Sequence, residues 1–134
     1  MAEMDSRRQE MHEGRPVRPS FGDLLEAAGM QVELDTLIAL DPDHAGVYRD
    51  IVRAIADVYV HRPESPSRVE DGIEYGILQE VFQDLTSEHV AAVCGSFCRY
   101  PRRVFSPRLF FQAALYNVLG ELESGAENLY NSRR

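Results

Sequence analysis

Apolar residues recur every three to four positions along most of the chain, which is the spacing of one face of an α-helix. The clearest case is residues 44–61, where Val47, Ile51, Ile55 and Val58 form one stripe. The same reasoning predicts helices over residues 21–28, 44–61, 69–85, 87–98 and 107–124. Residues 34–41 fit neither period cleanly and are either an extended stretch or, as we favour, a short helix. No segment alternates strictly over the length of a strand, so a sheet is not expected.

Residues that favour helix ends support these boundaries. Ser20 and Asp23 have the spacing of a capping box, and Gly29 is a natural stop for the helix that follows. Ser106 followed by Pro107 provides an N-cap and a proline at the first helical position. The sequence therefore predicts an all-α fold, a compact bundle of about five helices.

The first 19 residues differ from the rest, because they combine charge, glycine and proline with few apolar side chains. We expect a flexible or disordered N-terminal arm or linker over 1–19 and a single helical domain over 20–134. At 134 residues the chain is long enough to bury a core without disulfides or metals. It has no apolar run that could cross a membrane and no secretory signal, so we expect a cytoplasmic protein.

Charge is distributed unevenly along the chain, whose net charge is −8. Residues 21–98 contain four arginines and 15 acidic residues, whereas residues 99–134 contain six arginines and three acidic residues. An acidic body disfavours broad, non-specific binding to nucleic acid, which needs many phosphate contacts. It leaves open a local contact through the basic end, or an acidic face that meets a basic partner.

No pattern in the sequence indicates catalysis, a cofactor or a metal centre. Glycine-rich phosphate loops and zinc-protease motifs are absent, and pairs of carboxylates in an acidic protein usually form a solvated surface. Cys94 and Cys98 share one helix face, and His89 lies shortly before them. We interpret the two cysteines as small side chains of a reduced core and predict a protein that is not an enzyme, with no cofactor and no metal.

The most distinctive local feature is a basic segment that joins the last two predicted helices. It contains four arginines and two aromatic residues within ten positions: Arg99, Tyr100, Arg102, Arg103, Phe105 and Arg108. Guanidinium groups beside a helix N-terminus could bind phosphate or carboxylate. Alternatively, this segment is an inter-helix loop whose arginines balance the acidic body.

From about Val32 to its C-terminus, the chain resembles the C-terminal helical domain of initiator A-type replication proteins of Gram-positive plasmids and integrative elements. The matching blocks, in order, are Asp35-Thr-Leu37, Arg49-Asp50-Ile51-Val52, Leu85-Thr-Ser-Glu-His89-Val90, the basic Arg99 to Arg103, and Phe111-Gln-Ala-Ala-Leu-Tyr-Asn117. Such domains are distantly like the C-terminal domain of DnaD-type primosome proteins, which binds DNA and other replication proteins. The winged-helix half of these initiators and the terminal aromatic motif of the DnaD-type domain are not evident in this chain.

The resemblance implies a non-enzymatic interaction domain that recruits replication proteins, and the basic segment is where it would contact DNA. We expect a protein partner and no membrane, with DNA as a second contact that stays open. The alternative is a free-standing acidic helical regulator, antitoxin-like or inhibitory, that covers a basic protein surface with the residues of the −11 stretch, 21–98.

Overall fold

A computed structural model describes residues 19–68, 72–100 and 106–132, and of residues 121–132 it describes only the helical backbone. Six α-helices make up most of this part of the chain. They are α1 Phe21–Gln31, α2 Leu34–Leu40, α3 Ala45–Val58, α4 Tyr75–Val81, α5 Ser87–Arg99 and α6 Pro107–Ser132. Short 3-10 turns, Pro42–His44 and Phe82–Asp84, precede α3 and follow α4. The all-α prediction is confirmed, and the predicted arm lies almost wholly outside the described residues.

Helix α3 lies at the centre of the bundle and contacts α1, α2, α5 and α6. Half of its residues are buried, because apolar positions three and four apart surround most of its circumference. The core around α3 includes side chains from all six helices. Its largest fully buried members are Phe82, Phe111, Ile51, Ile55, Leu78, Leu85 and Leu115.

Two predicted helix starts are confirmed by their caps. The Asp23 amide donates to Ser20 Oγ at 3.1 Å and the Ser20 amide donates to the Asp23 carboxylate at 3.3 Å, which completes the capping box of α1. The Leu109 amide donates to Ser106 Oγ at 3.4 Å, with Pro107 at the first position of α6. Gly29 does not end α1, which continues to Gln31.

The prediction that the fourth helix begins near residue 69 is wrong, because α4 begins at Tyr75. Residues 63–67 run alongside residues 73–76 instead: the Ser67 amide donates to the Ile73 carbonyl at 2.8 Å, and the Gly76 amide to the Pro63 carbonyl at 2.7 Å. A side chain at Gly76 would place its Cβ 3.1 Å from that Pro63 oxygen, so the Pro63 backbone would have to shift by a few tenths of an ångström to accept it.

Glutamine amides join the helices at points that periodicity does not mark. Gln31 Nε2 reaches from α1 to three carbonyl oxygens of residues 82–85, at 2.9–3.2 Å. Gln79 Nε2 donates to the carbonyls of Val58 and His61, at 3.1 and 2.9 Å, and so satisfies the end of α3. Free carbonyls at a helix end need such partners when water is excluded.

Candidate functional site

The predicted basic segment spans the junction between α5 and α6. Arg99 is the last residue of α5 and Tyr100 follows it, while Arg108 lies in the first turn of α6. All three side chains are exposed. The other two predicted contact residues, Arg102 and Arg103, lie outside the described residues, as does Phe105.

Aromatic rings hold the two sides of this junction together. The Tyr100 ring centroid lies 5.3 Å from that of Phe110, and Phe97 lies 5.6 Å from Phe110 and 4.9 Å from Phe111. Tilted pairs at such distances are favourable beyond their burial. Tyr100 therefore packs on α6 with one part of its ring while 45% of the residue stays exposed.

Arg108 is directed toward α3 rather than toward Tyr100. Its Nη1 donates to Asp57 Oδ2 at 3.1 Å. The same oxygen accepts from the Gln112 amide at 3.0 Å and lies 3.3 Å from His61 Nε2. The structure thus separates the predicted set: Arg99 and Tyr100 stay together, whereas Arg108 belongs to a polar cluster centred on Asp57.

An open cleft of about 340 Å³ lies beside the Asp57 cluster. It is lined by Phe21, Asp50, Arg53, Ala54, Asp57, Pro107, Arg108 and Phe111. Its charged side chains pair with one another, since Arg53 Nη1 also donates to Asp50 at 2.7 Å. Two acids and two arginines therefore balance within the cleft, which is a neutral surface with an apolar floor.

Replacing Asp57 with alanine should lower the free energy of unfolding by about 1.5–3 kcal/mol, the range for a charge-assisted cluster. The Asp57 side chain is only 20% exposed, and its loss leaves the buried Gln112 amide with one partner fewer. Asp50→Ala is the matched control, because the Asp50–Arg53 pair is 55% and 60% exposed and should contribute less than about 1 kcal/mol. Urea denaturation followed by circular dichroism measures both. If both variants lost the same free energy of unfolding, Asp57 would contribute no more than an exposed ion pair does.

The two cysteines are free thiols with different surroundings. Cys94 is 3% exposed and belongs to the core, as predicted. Cys98, one turn later, is exposed, so its predicted core position is wrong. Burial, together with the neighbouring Cys98 thiol, raises the pKa of Cys94 to about 11.

A histidine does lie beside the cysteines, but it is His44 and not His89. One ring nitrogen of His44 and the sulfurs of Cys94 and Cys98 all lie within 4.8 Å of one another. His89 instead caps its own helix, since its Nδ1 accepts the Thr86 amide at 2.9 Å. At 100° per residue, His89 and Cys98 also point to opposite sides of α5.

His44 is anchored by a short chain of polar contacts. Its Nδ1 lies 3.0 and 2.9 Å from the two carboxylate oxygens of Asp41. The Tyr48 hydroxyl donates to the same carboxylate at 3.1 Å. Burial, followed by the hydrogen bond to Asp41, raises the pKa of Tyr48 well above its usual value, so this hydroxyl stays a donor.

Sequence reasoning could identify the basic segment and not this second group. The basic segment is local in sequence, whereas His44 lies 50 residues before Cys94 and only the packing of α5 beside the start of α3 brings them together. The signal that was available, the i, i+4 spacing of the cysteines, identifies two of the three side chains.

Comparison of the chain with protein-family models, with curated proteins and with solved structures found no match. Among the described helices, none is both long enough and apolar enough to cross a membrane.

Proposed function

We propose that the protein is a replication-associated interaction domain of a plasmid or mobile element, which recruits replication proteins and contacts DNA through the basic segment, residues 99–108. The observation that carries the proposal is the exposed junction between α5 and α6. There Arg99 and Tyr100 are exposed to solvent, directly after residues 21–98, whose net charge is −11. A local basic surface on an acidic body suits a small, defined contact rather than general coating of nucleic acid.

The positions of the residues that carry the resemblance support the same proposal. Their apolar members meet in one core: Leu37, Ile51, Val52, Leu85, Val90, Phe111 and Leu115 are all buried. Buried core residues can account for a shared fold, but they cannot touch a partner. A contact with a partner must therefore come from exposed residues. Of the basic block, Arg99 and Tyr100 are described, and both are exposed.

The chemistry of the junction suits single-stranded nucleic acid. Arginine binds phosphate through paired donors, and the positive N-terminal end of the α6 dipole favours an anion nearby. The half-exposed Tyr100 ring, backed by Phe110, offers a surface on which a base can stack. Phosphate contacts would supply affinity here, with little sequence preference.

The double substitution Arg102→Ala with Arg103→Ala should weaken binding of a single-stranded oligonucleotide while leaving the helical content unchanged. Removing two phosphate contacts should also make the plot of log affinity against log salt less steep by about 1.4. Fluorescence anisotropy at several salt concentrations measures both quantities. Arg62→Ala with Arg68→Ala is the matched control, because it removes two exposed arginines from the loop between α3 and α4.

Unchanged DNA binding and unchanged salt dependence in the first double variant would remove the basic segment from the proposal. An equal loss in the control pair would contradict it as well, since the effect would then follow net charge rather than a site. Binding of a replication protein partner should respond to the same substitutions in a pull-down with purified components.

One observation favours the second candidate, an acidic regulator that covers a basic protein surface. Met30 and Leu40, at the ends of α1 and α2, are 73% and 80% exposed. The acidic Glu33 and Asp35 lie exposed between them along the chain. Exposed apolar side chains beside carboxylates are suited to a basic partner with an apolar centre. This candidate requires binding that weakens with salt and survives the Arg102 and Arg103 changes.

A further inference from the structure

Three metal-binding side chains meet where the turn before α3 packs against α5. They are His44, Cys94 and Cys98, whose ligand atoms lie within 4.8 Å of one another. We propose that they form a binding site for one thiophilic divalent cation of the zinc class, independent of the basic segment. Two thiolates and an imidazole are a donor set that zinc prefers, whereas calcium and magnesium prefer oxygen.

The two sulfurs are well placed to share one ion. Residues four apart on a helix lie on the same face, one turn above the other. Cys94 is fixed by the core at 3% exposure, and Cys98 is exposed and free to turn about its Cα–Cβ bond. One ligand is thus rigid and the other adjustable.

Closing the site needs only a small movement. Zinc bonds of about 2.3 Å to sulfur and 2.0 Å to nitrogen place neighbouring ligands about 3.5–3.8 Å apart in a tetrahedron. The three atoms here lie within 4.8 Å of one another, so the contraction is at most about 1.3 Å for each pair. Rotation of the exposed Cys98 and of His44, whose side chain is 43% exposed, can supply it.

The contacts of His44 leave one ring nitrogen, Nε2, available as a ligand. An ionised carboxylate can only accept hydrogen bonds, so Asp41 holds the proton on Nδ1 and leaves the lone pair on Nε2. Tyr48 fixes that carboxylate in turn. A carboxylate behind a metal-binding histidine orients the ring and raises its basicity, so Asp41 is a positioning residue.

The charges at the proposed site balance. Binding of one dication displaces a proton from each thiol, so the ion, two thiolates and a neutral imidazole together carry no net charge. A neutral centre suits a position where one ligand is buried and another is exposed. The fourth tetrahedral position can take a water molecule.

The test is a titration of the untagged, reduced, metal-free chain with Co²⁺, followed by competition with Zn²⁺. We expect one equivalent of Co²⁺ to give the thiolate charge-transfer band and visible d–d bands of a tetrahedral site, and Zn²⁺ to abolish them. Cys98→Ser should lose roughly half of the charge-transfer intensity, since one of two thiolates is gone. Cys98→Ser and His44→Gln should each weaken Zn²⁺ binding at least about 100-fold.

Two further variants sharpen the result. Asp41→Asn should weaken Zn²⁺ binding about 10–100-fold and keep the full charge-transfer band, because both thiolates remain. His89→Gln should leave the Zn²⁺ affinity and the charge-transfer band unchanged, since His89 lies on the other side of α5. Saturating Zn²⁺ should also raise the Tm of the unaltered chain by at least about 5 °C, and not that of His44→Gln.

Cobalt binding without a thiolate band would overturn the proposal. So would equal Zn²⁺ affinity in the unaltered chain and in both the Cys98→Ser and His44→Gln variants. If His89→Gln lost as much Zn²⁺ affinity as His44→Gln, the effect would not be specific to His44, and the proposal would be overturned too. Cys98 is exposed and His44 half-exposed, so these variants should fold, which circular dichroism checks directly.

Discussion

Gln112→Glu should lower the free energy of unfolding by roughly 3–5 kcal/mol at pH 7, although the new carboxyl group is the same size as the amide group it replaces. Gln112 is fully buried on α6. Its Nε2 donates to the Ala54 carbonyl and to Asp57 Oδ2, both at 3.0 Å. The substitution removes both donated hydrogen bonds and places a second carboxylate against Asp57 in a region shielded from water.

The same substitution should show a characteristic dependence on pH. Burial and the nearby Asp57 raise the pKa of the new carboxyl group above its unfolded value of about 4.3. The folded state then binds the proton more tightly than the unfolded state. The penalty relative to the unaltered chain should therefore be least below about pH 4, where only the lost hydrogen bonds contribute, and should grow as the pH rises.

Gln112→Leu is the matched neutral control. It also removes the two donated hydrogen bonds, and it removes Oε1, a buried oxygen with no hydrogen-bond partner. We expect a loss of about 1–2 kcal/mol that does not vary between pH 4 and pH 7. Urea denaturation of the three proteins at both pH values measures the difference. A similar loss for both variants at pH 7 would mean that the new charge is irrelevant.

Gln112 also shows what periodicity cannot predict. The stripes of α3, α5 and α6 were evident because helix faces repeat over many residues of local sequence. A glutamine inside such an apolar stripe only interrupts the pattern, and the pattern does not indicate what it binds. Its role becomes clear only when Ala54 and Asp57, more than 50 residues earlier, are placed opposite it.

The start of α4 is missed for the same reason. Its apolar residues have helical spacing from residue 69, but residues 63–67 compete for the backbone of residues 73–76. Gly72, with φ of +87°, ends any continuous helix before Tyr75. Ile77, one of these apolar residues, is 45% exposed. Long-range backbone pairing overrides a local pattern here.

The candidate sites differ in the same way, in whether their residues are close together in the sequence. The basic segment lies within ten consecutive residues, so composition alone identified it. That Arg108 turns toward Asp57, and that His44 joins the two cysteines, depends on how α3 packs against α5 and α6. Sequence reasoning therefore identifies side chains that act together on one element and misses those that two elements bring together.

Phe111→Ala should reduce the free energy of unfolding by about 3–5 kcal/mol, the cost of a large cavity in a packed core. Phe111 is 1% exposed, and its ring lies 4.9 Å from that of Phe97 and 5.9 Å from that of Phe110. Natural domains are stable by only about 5–15 kcal/mol, so this variant should be close to the limit of folding. Phe21→Ala is the control, because Phe21 is 42% exposed and lines the same cleft; it should cost less than about 1 kcal/mol.

Because the chain has no tryptophan, denaturation of these variants is best followed by far-ultraviolet circular dichroism. A smaller urea midpoint at an unchanged slope would assign the loss to the folded state. The variant also distinguishes a loss of stability from a loss of DNA contacts at the neighbouring junction. If the proposed function holds, DNA binding by Phe111→Ala should fall only in proportion to the unfolded fraction. It should recover when the sample is cooled to the temperature of maximum stability. Under the proposed function, the Arg102 and Arg103 substitutions should instead reduce binding at every temperature at which the chain is folded. If Phe111→Ala unfolds no more readily than Phe21→Ala, the aromatic rings do not hold α5 and α6 together.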